Sequence, residues 1–183
     1  MRGNIRRWRR LTSIAVLVAA FAATTTVTNA VREAPALAAP PTPGVQYYLQ
    51  NVNSGLRMEV AFASTAVGAP IIQGGGTSTT LQAHWRFAPV TVGFYQIINR
   101  RSGLCLNVGP ASVRLVIRQN SCTSLVTFTH WTLTENSTGN FTITGRTSSQ
   151  SLCMIGDLTF SAVPLVSDAA NSSCDKRFRL VPV

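Results

Sequence analysis

The sequence predicts a closed all-β domain built from three pseudo-symmetric copies of a four-stranded unit, and three observations predict it. A segment recurs as Asn53-Ser54-Gly55-Leu56-Arg57-Met58, Arg101-Ser102-Gly103-Leu104-Cys105-Leu106 and Ser149-Gln150-Ser151-Leu152-Cys153-Met154, with Leu56, Leu104 and Leu152 spaced 48 residues apart. A fixed period in this range means one supersecondary unit copied several times. A large aromatic closes each copy, Trp85, Trp131 and Phe178, at intervals of 46 and 47 residues. The intervening segments alternate apolar and polar side chains, the pattern of half-buried strands, and none of them has helical periodicity.

The chain opens with Arg2, Arg6, Arg7, Arg9 and Arg10, then an apolar stretch from Ile14 to Ala23. A basic start followed by a short apolar run is the pattern of a secretory signal peptide. Ala36-Leu37-Ala38 offers a small-x-small cleavage site, which makes residues 1–38 the leader; a cut after Ala30 is the other option. The apolar run is too short to span a bilayer comfortably, so no stable membrane insertion is expected after cleavage. Residues 39–44, with Pro40, Pro41 and Pro43, read as a stiff, exposed lead-in to a domain at 45–183. Its lobes are expected at about 45–92, 93–138 and 139–183.

In each lobe a first strand, as in Tyr47-Tyr48-Leu49-Gln50 or Phe94-Tyr95-Gln96-Ile97, leads through a Ser/Gly turn into a second, as in Leu56-Arg57-Met58-Glu59-Val60. Third strands are expected at Ala69–Gln73, Val113–Ile117 and Val163–Val166, and fourth strands at the closing aromatics. Closure removes the sheet edges that would otherwise invite aggregation. Trp85, Trp131 and Phe178 recur at one place in every lobe, so they are read as the core of the barrel base, and simple alternation then turns His84, His130 and Arg177 outward.

The whole chain carries 16 basic and 6 acidic residues, a formal charge of +10. Six of the arginines and Glu33 lie in the leader, so the mature charge is +5. The remaining basic residues are scattered, which argues against nucleic acid as a partner. Four cysteines in an exported domain suggest two disulfides. Repeat position favours the local pairs Cys105–Cys122 and Cys153–Cys174, each closing a loop worth on the order of 3 kcal/mol. The spacings lack the close cysteine pairs of zinc sites, and no metal is expected. Copy one has Arg57 and Gly76 at the cysteine positions, so it is expected to hold by packing alone.

From about residue 45 to 183 the chain resembles the ricin-B type β-trefoil lectins. The resemblance is carried by Tyr95-Gln96-Ile97-Ile98-Asn99-Arg100-Arg101-Ser102-Gly103-Leu104-Cys105-Leu106-Asn107-Val108 and by the closing aromatics. It implies a β-trefoil and a carbohydrate-binding role. The Gln-x-Trp that ends each lobe in that family is here Ala83-His84-Trp85, Thr129-His130-Trp131 and Lys176-Arg177-Phe178, so the Trp is kept twice and the Gln never.

Sugar-binding lobes of that family use a carboxylate acceptor, amide donors and an aromatic that stacks on the pyranose face. Carried over, the acidic position falls on Glu59, Asn107 and Ile155. Copy one, with Glu59, Gln73 and Gln82, is the best candidate site. Copy two offers Asn107, Gln119 and Asn120; copy three offers at most Ser167, Asp157 and Asp168. Gly74 to Gly76, Asn120 and Ala169 or Ala170 stand in the neighbourhood where the stacking aromatic would be.

No catalytic constellation is visible: Glu59, Glu135, Asp157, Asp168 and Asp175 form no defensible acid/base pair, and Gly74-Gly75-Gly76 lacks the Lys and helix of a phosphate loop. No cofactor is expected. The expected function is that of a secreted, non-catalytic module that binds a glycan or polysaccharide. The alternative is a trefoil that binds a protein partner, for example as an inhibitor, with decayed sugar sites. The acceptor patterns at Asn136, Asn140 and Asn171 would matter only in a eukaryotic host.

Overall fold

The computed structural model describes residues 41–109, 115–123, 127–155, 158–168 and 174–183. The expected signal peptide, Ala39 and Pro40 of the lead-in, Asp157, Ala169, Ala170 and Asn171 lie outside them. No helix of the described residues is long and apolar enough to cross a membrane.

The alternating segments form the expected strands except in copy two, where the third strand is Arg118–Asn120 and not Val113–Ile117: Val116 makes only an isolated bridge to Val166, and Val113 and Arg114 lie outside the described residues. Copy one contains β1 (Gln46–Asn51), β2 (Arg57–Val60), β3 (Ile71–Gly74) and β4 (Trp85–Thr91); copy two β5 (Phe94–Asn99), β6 (Cys105–Asn107), β7 (Arg118–Asn120) and β8 (His130–Glu135). Copy three contains β9 (Phe141–Gly145), β10 (Ser151–Ile155), β11 (Leu165–Asp168), a two-residue β12 (Cys174–Asp175) and β13 (Phe178–Pro182). The first and last strands of the copies pair in a closed antiparallel ring, β1 with β4, β4 with β5, β5 with β8, β8 with β9, β9 with β13 and β13 with β1. The hairpins β2–β3, β6–β7 and β10–β11 cap one end of that barrel. This is a β-trefoil.

The core repeats in threes. Leu49, Ile97 and Ile143, then Met58, Leu106 and Leu152, then Ile71, Ile117 and Leu165, and finally Trp85, Trp131 and Phe178 are all essentially fully buried in one cluster. Each such side chain contributes roughly 1.5–3 kcal/mol relative to exposure. The two indoles also satisfy their N–H groups identically: Trp85 Nε1 donates to the Met58 carbonyl at 2.9 Å and Trp131 Nε1 to the Leu106 carbonyl at 3.0 Å. Phe178 has no N–H to satisfy. The hairpins meet on the axis, where Ile71 N donates to the Ile117 carbonyl and Ile117 N to the Leu165 carbonyl, both at 2.9 Å.

The disulfides are Cys105–Cys122 and Cys153–Cys174, but they are not equivalent. In the turns after the first strands, Gly55 N, Gly103 N and Ser149 N donate to the carbonyls of Asn51, Asn99 and Gly145, each at 3.0 Å. Across the next rung Gln50 faces Arg57, Ile98 faces Cys105 and Thr144 faces Ser151. Copy three is therefore displaced by two residues from the alignment on Leu152: Ser151 stands where Arg57 and Cys105 stand, and Cys153 stands where Glu59 and Asn107 stand.

Copy one does not hold by packing alone. Arg57 faces Gly74 in the hairpin as Cys105 faces Asn120, which makes Gly76 the counterpart of Cys122. An Arg57 guanidinium N–H donates to the Gly76 carbonyl, and the guanidinium lies over the Tyr48 ring, 3.6 Å from its centroid. A polar link replaces the covalent one.

Ser149 takes the left-handed backbone position of Gly55 and Gly103, with φ of 52° against 68° and 71°. Ala162 likewise matches Gly68, each donating its N–H at 2.8 Å to the carbonyl of a third-strand glutamine. A left-handed conformation costs an L-residue roughly 1–2 kcal/mol, offset in part by the greater unfolded-state entropy of glycine. Ser149→Gly and Ala162→Gly should each raise stability by about 0.5–1 kcal/mol. Urea titration should show a higher midpoint at unchanged slope; a lower midpoint at either site would contradict the assigned equivalence.

Candidate functional site

Alternation along β2 puts Met58 and Val60 in the core and leaves Arg57 and Glu59 half exposed. The Glu59 carboxylate lies down on the glycine loop of copy one. A Cβ added to Gly74 would overlap the Glu59 carboxylate, and one added to Gly76 would sit 3.3 Å from Oε2 and 2.5 Å from Ala83 Cβ. Partial burial raises its pKa above the usual carboxylate value of 4.5. Among the described residues it has no hydrogen-bond or ion-pair partner. A desolvated acceptor with free lone pairs is suited to receive hydroxyl groups.

Gln73 does not join Glu59. It is buried, its Oε1 accepts from Ser54 Oγ at 2.8 Å, and its Nε2 donates to the carbonyls of Leu158 and Phe160 at 2.8 and 2.6 Å. Gln119 does the same in copy two: its Oε1 accepts from Ser102 Oγ at 2.7 Å, and its Nε2 donates to the carbonyls of Ser64 and Ala66 at 3.1 and 2.8 Å. Both amides are fully used inside the protein, which removes them as sugar donors. Gln82, half-buried, lends its backbone carbonyl to Asn99 Nδ2 at 2.8 Å.

In copy two, Asn107 faces Arg118 across the β6–β7 hairpin beside a shallow cleft of about 420 Å³. Asn107 Oδ1 accepts from Gly109 N at 3.1 Å, and the exposed Asn120 accepts from Ser121 N at 2.8 Å. Both act as turn residues that satisfy nearby backbone. In copy three the acidic position belongs to Cys153, locked in its disulfide, rather than to Ile155. Ser167 is buried and receives the N–H of Leu115 at 3.3 Å. Asp175 is buried as well, accepting from Asn53 N at 3.0 Å and from Arg177 Nε at 2.9 Å. Cys153, Asp168 and Cys174 lie close together, but the disulfide takes both sulfurs out of metal chemistry.

A cleft of about 630 Å³ runs beside the glycine loop, lined by Tyr48, Gln50, Arg57, Thr77 and Ser78, with Val183 at its rim. Tyr48, Gln50 and Arg57 were not among the candidate sugar-binding residues read from the sequence. The available signal was the Arg57/Gly76 pair standing in for two cysteines.

The histidines face inward. His84 and His130 are buried, because each follows a 3-10 turn, Leu81–Ala83 or Thr127–Thr129, that breaks the alternation. His84 Nε2 hydrogen-bonds with the Tyr48 hydroxyl at 3.2 Å and lies 3.3 Å from the Thr77 carbonyl. Arg100 approaches His84 Nδ1 at 3.3 Å, and Arg146 approaches His130 Nδ1 at 3.4 Å. Burial, helped by the neighbouring arginines, holds both imidazoles below their ordinary value of 6.5; for His84 the Thr77 carbonyl partly opposes this.

Residues 81–157 match the family described as ricin-type beta-trefoil lectin domain-like. No curated protein sequence matches the chain. Among solved structures, a designed threefold-symmetric protein, ThreeFoil, is 25% identical with a TM-score of 0.70, over 75% of this chain and 99% of that one. An exo-beta-1,3-galactanase from Clostridium thermocellum is 23% identical with a TM-score of 0.71, over 79% of this chain and 31% of that one. The C-half of an earthworm R-type lectin in complex with GalNAc is 13% identical with a TM-score of 0.60, over 76% of this chain and 99% of that one.

Two outcomes follow from this geometry. Gln73→Leu leaves two inter-lobe carbonyls and a serine hydroxyl without partners and should cost about 2–4 kcal/mol, read as a lower thermal midpoint; a neutral effect would return Gln73 to the candidate site. For the histidines, whose pKa is lowered in the fold, the unfolded chain binds more protons than the folded one as pH falls through about 6.5, so stability should fall as pH drops from 7 towards 5. Glu59, with its raised pKa, acts in the opposite sense, favouring the fold as pH falls. Thermal melts across this range should show the loss, and His84→Gln should flatten it.

Proposed function

We propose that this protein is a secreted, non-catalytic carbohydrate-binding module whose primary sugar contact is in copy one. The observation that carries the reading is Glu59: a half-buried carboxylate, without a hydrogen-bond or ion-pair partner among the described residues, laid across a glycine loop on a lectin-like trefoil. Vicinal hydroxyls of a pyranose would donate to its two oxygens, replacing the water lost on binding. Gln82 is the nearby amide not otherwise consumed through its side chain. The basic, apolar leader supports export, and the two disulfides fit an oxidising compartment. The galactanase and the GalNAc-bound lectin among the structural neighbours make galactose-type sugars the first class to try.

A specific observation favours a second reading, a protein-binding trefoil with decayed sugar sites. Phe62 is 100% exposed on left-handed backbone, with φ of 55°, and no aromatic stands at Gly74 or Asn120.

A panel of immobilised galactose-type and other neutral glycans tests the first reading. Glu59→Gln keeps the shape but loses the charge; retention should fall about tenfold, the worth of one charge-assisted hydrogen bond. The thermal midpoint should stay the same or rise at neutral pH, because a partly desolvated charge is removed. Unchanged retention would take Glu59 out of the site.

A further inference from the structure

We infer that the cleft beside the glycine loop of copy one is an anion-receiving subsite, with Arg57 as the group that holds the carboxylate or sulfate of an acidic saccharide; this deepens the carbohydrate-binding reading and rests on it. The subsite occupies the place where copy two carries its disulfide, and neither Glu59 nor Gln82 lines it.

The argument starts from what Arg57 lacks. A guanidinium has five N–H donors in a planar fork that matches the two oxygens of a carboxylate or sulfate. One donor goes to the Gly76 carbonyl, and the face lies on Tyr48. Among the described residues no carboxylate pairs with it. A half-buried cation without a counter-ion is a ready receptor for an anion brought by a ligand.

The receptor is also fixed in place. Tyr48 is buried beneath the guanidinium, its hydroxyl bonded to His84 Nε2, with the imidazole edge-on to its ring at a centroid distance of 5.0 Å. The same His84 nitrogen reaches back to the Thr77 carbonyl, which ties the layer to the loop after Gly76. Arg57 therefore presents its free edge in one orientation before any ligand arrives, which spares the ligand the entropy of ordering a long side chain.

The rest of the cleft suits a sugar. Its volume of about 630 Å³ accommodates a mono- or disaccharide. Gln50, Thr77 and Ser78 offer an amide and two hydroxyls, while Leu56 and Val183 supply apolar surface for the less polar face of a pyranose. Arg57 and Glu59 lie on the same face of β2, about 7 Å apart along the strand. That spacing lets one pyranose ring place its acidic group at Arg57 and its hydroxyls towards Glu59, and disfavours the reverse orientation.

The test uses the protein with its disulfides formed and three probes: a galacturonic acid disaccharide, a sulfated galactose disaccharide and the neutral galactose disaccharide, titrated by calorimetry at about 0.15 M salt. At least one acidic probe should bind about tenfold tighter than the neutral one; which one it is assigns the carboxylate or the sulfate as the preferred anion. Arg57→Lys keeps the charge but loses the fork, and Ser78→Glu sets a negative charge at the exposed rim without touching the Arg57–Gly76 link. Each should abolish the preference of the acidic over the neutral probe, and the thermal midpoint of Ser78→Glu should hold. Equal binding of acidic and neutral probes, or a preference that survives both variants, would overturn the subsite. Neutral binding that depends on Glu59 with no acidic preference would do so while leaving the carbohydrate-binding reading intact, whereas no binding by any of the three would overturn both.

Discussion

The constraint on which the rest of the structure depends is a cycle of buried polar contacts that ties each lobe to another. In copy one, Asn51 Oδ1 receives the N–H groups of Asn53 and Ser54, Ser54 Oγ donates to Gln73, and Gln73 reaches two carbonyls in copy three. In copy two, Asn99, Ser102 and Gln119 repeat the chain and reach two carbonyls in copy one. Copy three answers with Ser167, which receives a backbone N–H from copy two. The hydrophobic core is non-directional and would tolerate lobes sliding against each other. Buried amides tolerate no such slip, because a shift of one residue strands several donors and acceptors at once. The polar cycle therefore sets the register that lets the aromatic base and the axial Ile71, Ile117 and Leu165 interlock.

This cycle explains both what the sequence reveals and what it hides. The trefoil, the closing aromatics and both cysteine pairs were legible because period and alternation are carried by many residues. The position of copy three was not. A strand displaced by two residues keeps every side chain on its original face, so Gln150-Ser151-Leu152-Cys153 imitates Gly-Leu-Cys while Leu152 in fact packs with Met58 and Leu106. Only the turn distinguishes the registers: Ser149, not a glycine, carries the left-handed residue there. The histidines were misplaced for a related reason, since alternation applies within a strand and His84 closes a 3-10 turn just before one.

The candidate site was half legible. A carboxylate two residues after the cysteine position pointed to Glu59 directly. Gln73 and Gln119 differ from that expectation, because an amide free to face a ligand and an amide that braces the neighbouring lobe look the same in sequence, and each makes three hydrogen bonds to protein groups. Arg57 carried the opposite lesson. Its place in the cysteine column announced a lost disulfide, but its chemistry depends on Tyr48, His84 and Gly76 converging on it, which no spacing rule encodes.

The absence of a disulfide and of an aromatic side chain at the glycine loop of copy one has a single steric cause. Glu59 can lie flat only because Gly74 has no side chain: the first carbon of any other residue would occupy the space of its carboxylate. Gly76 is held to a glycine by Ala83 in the same way, and that excludes a cysteine partner for residue 57. With no sulfur available, position 57 closes the loop by another means, and an arginine does so through a carbonyl while no carboxylate among the described residues pairs with its charge. An aromatic at position 74 would lift Glu59 into solvent, and a cysteine at 76 would displace Ala83. The glycine loop thus leaves a carboxylate and a guanidinium on one strand face, at the positions where copy two carries an amide and a disulfide.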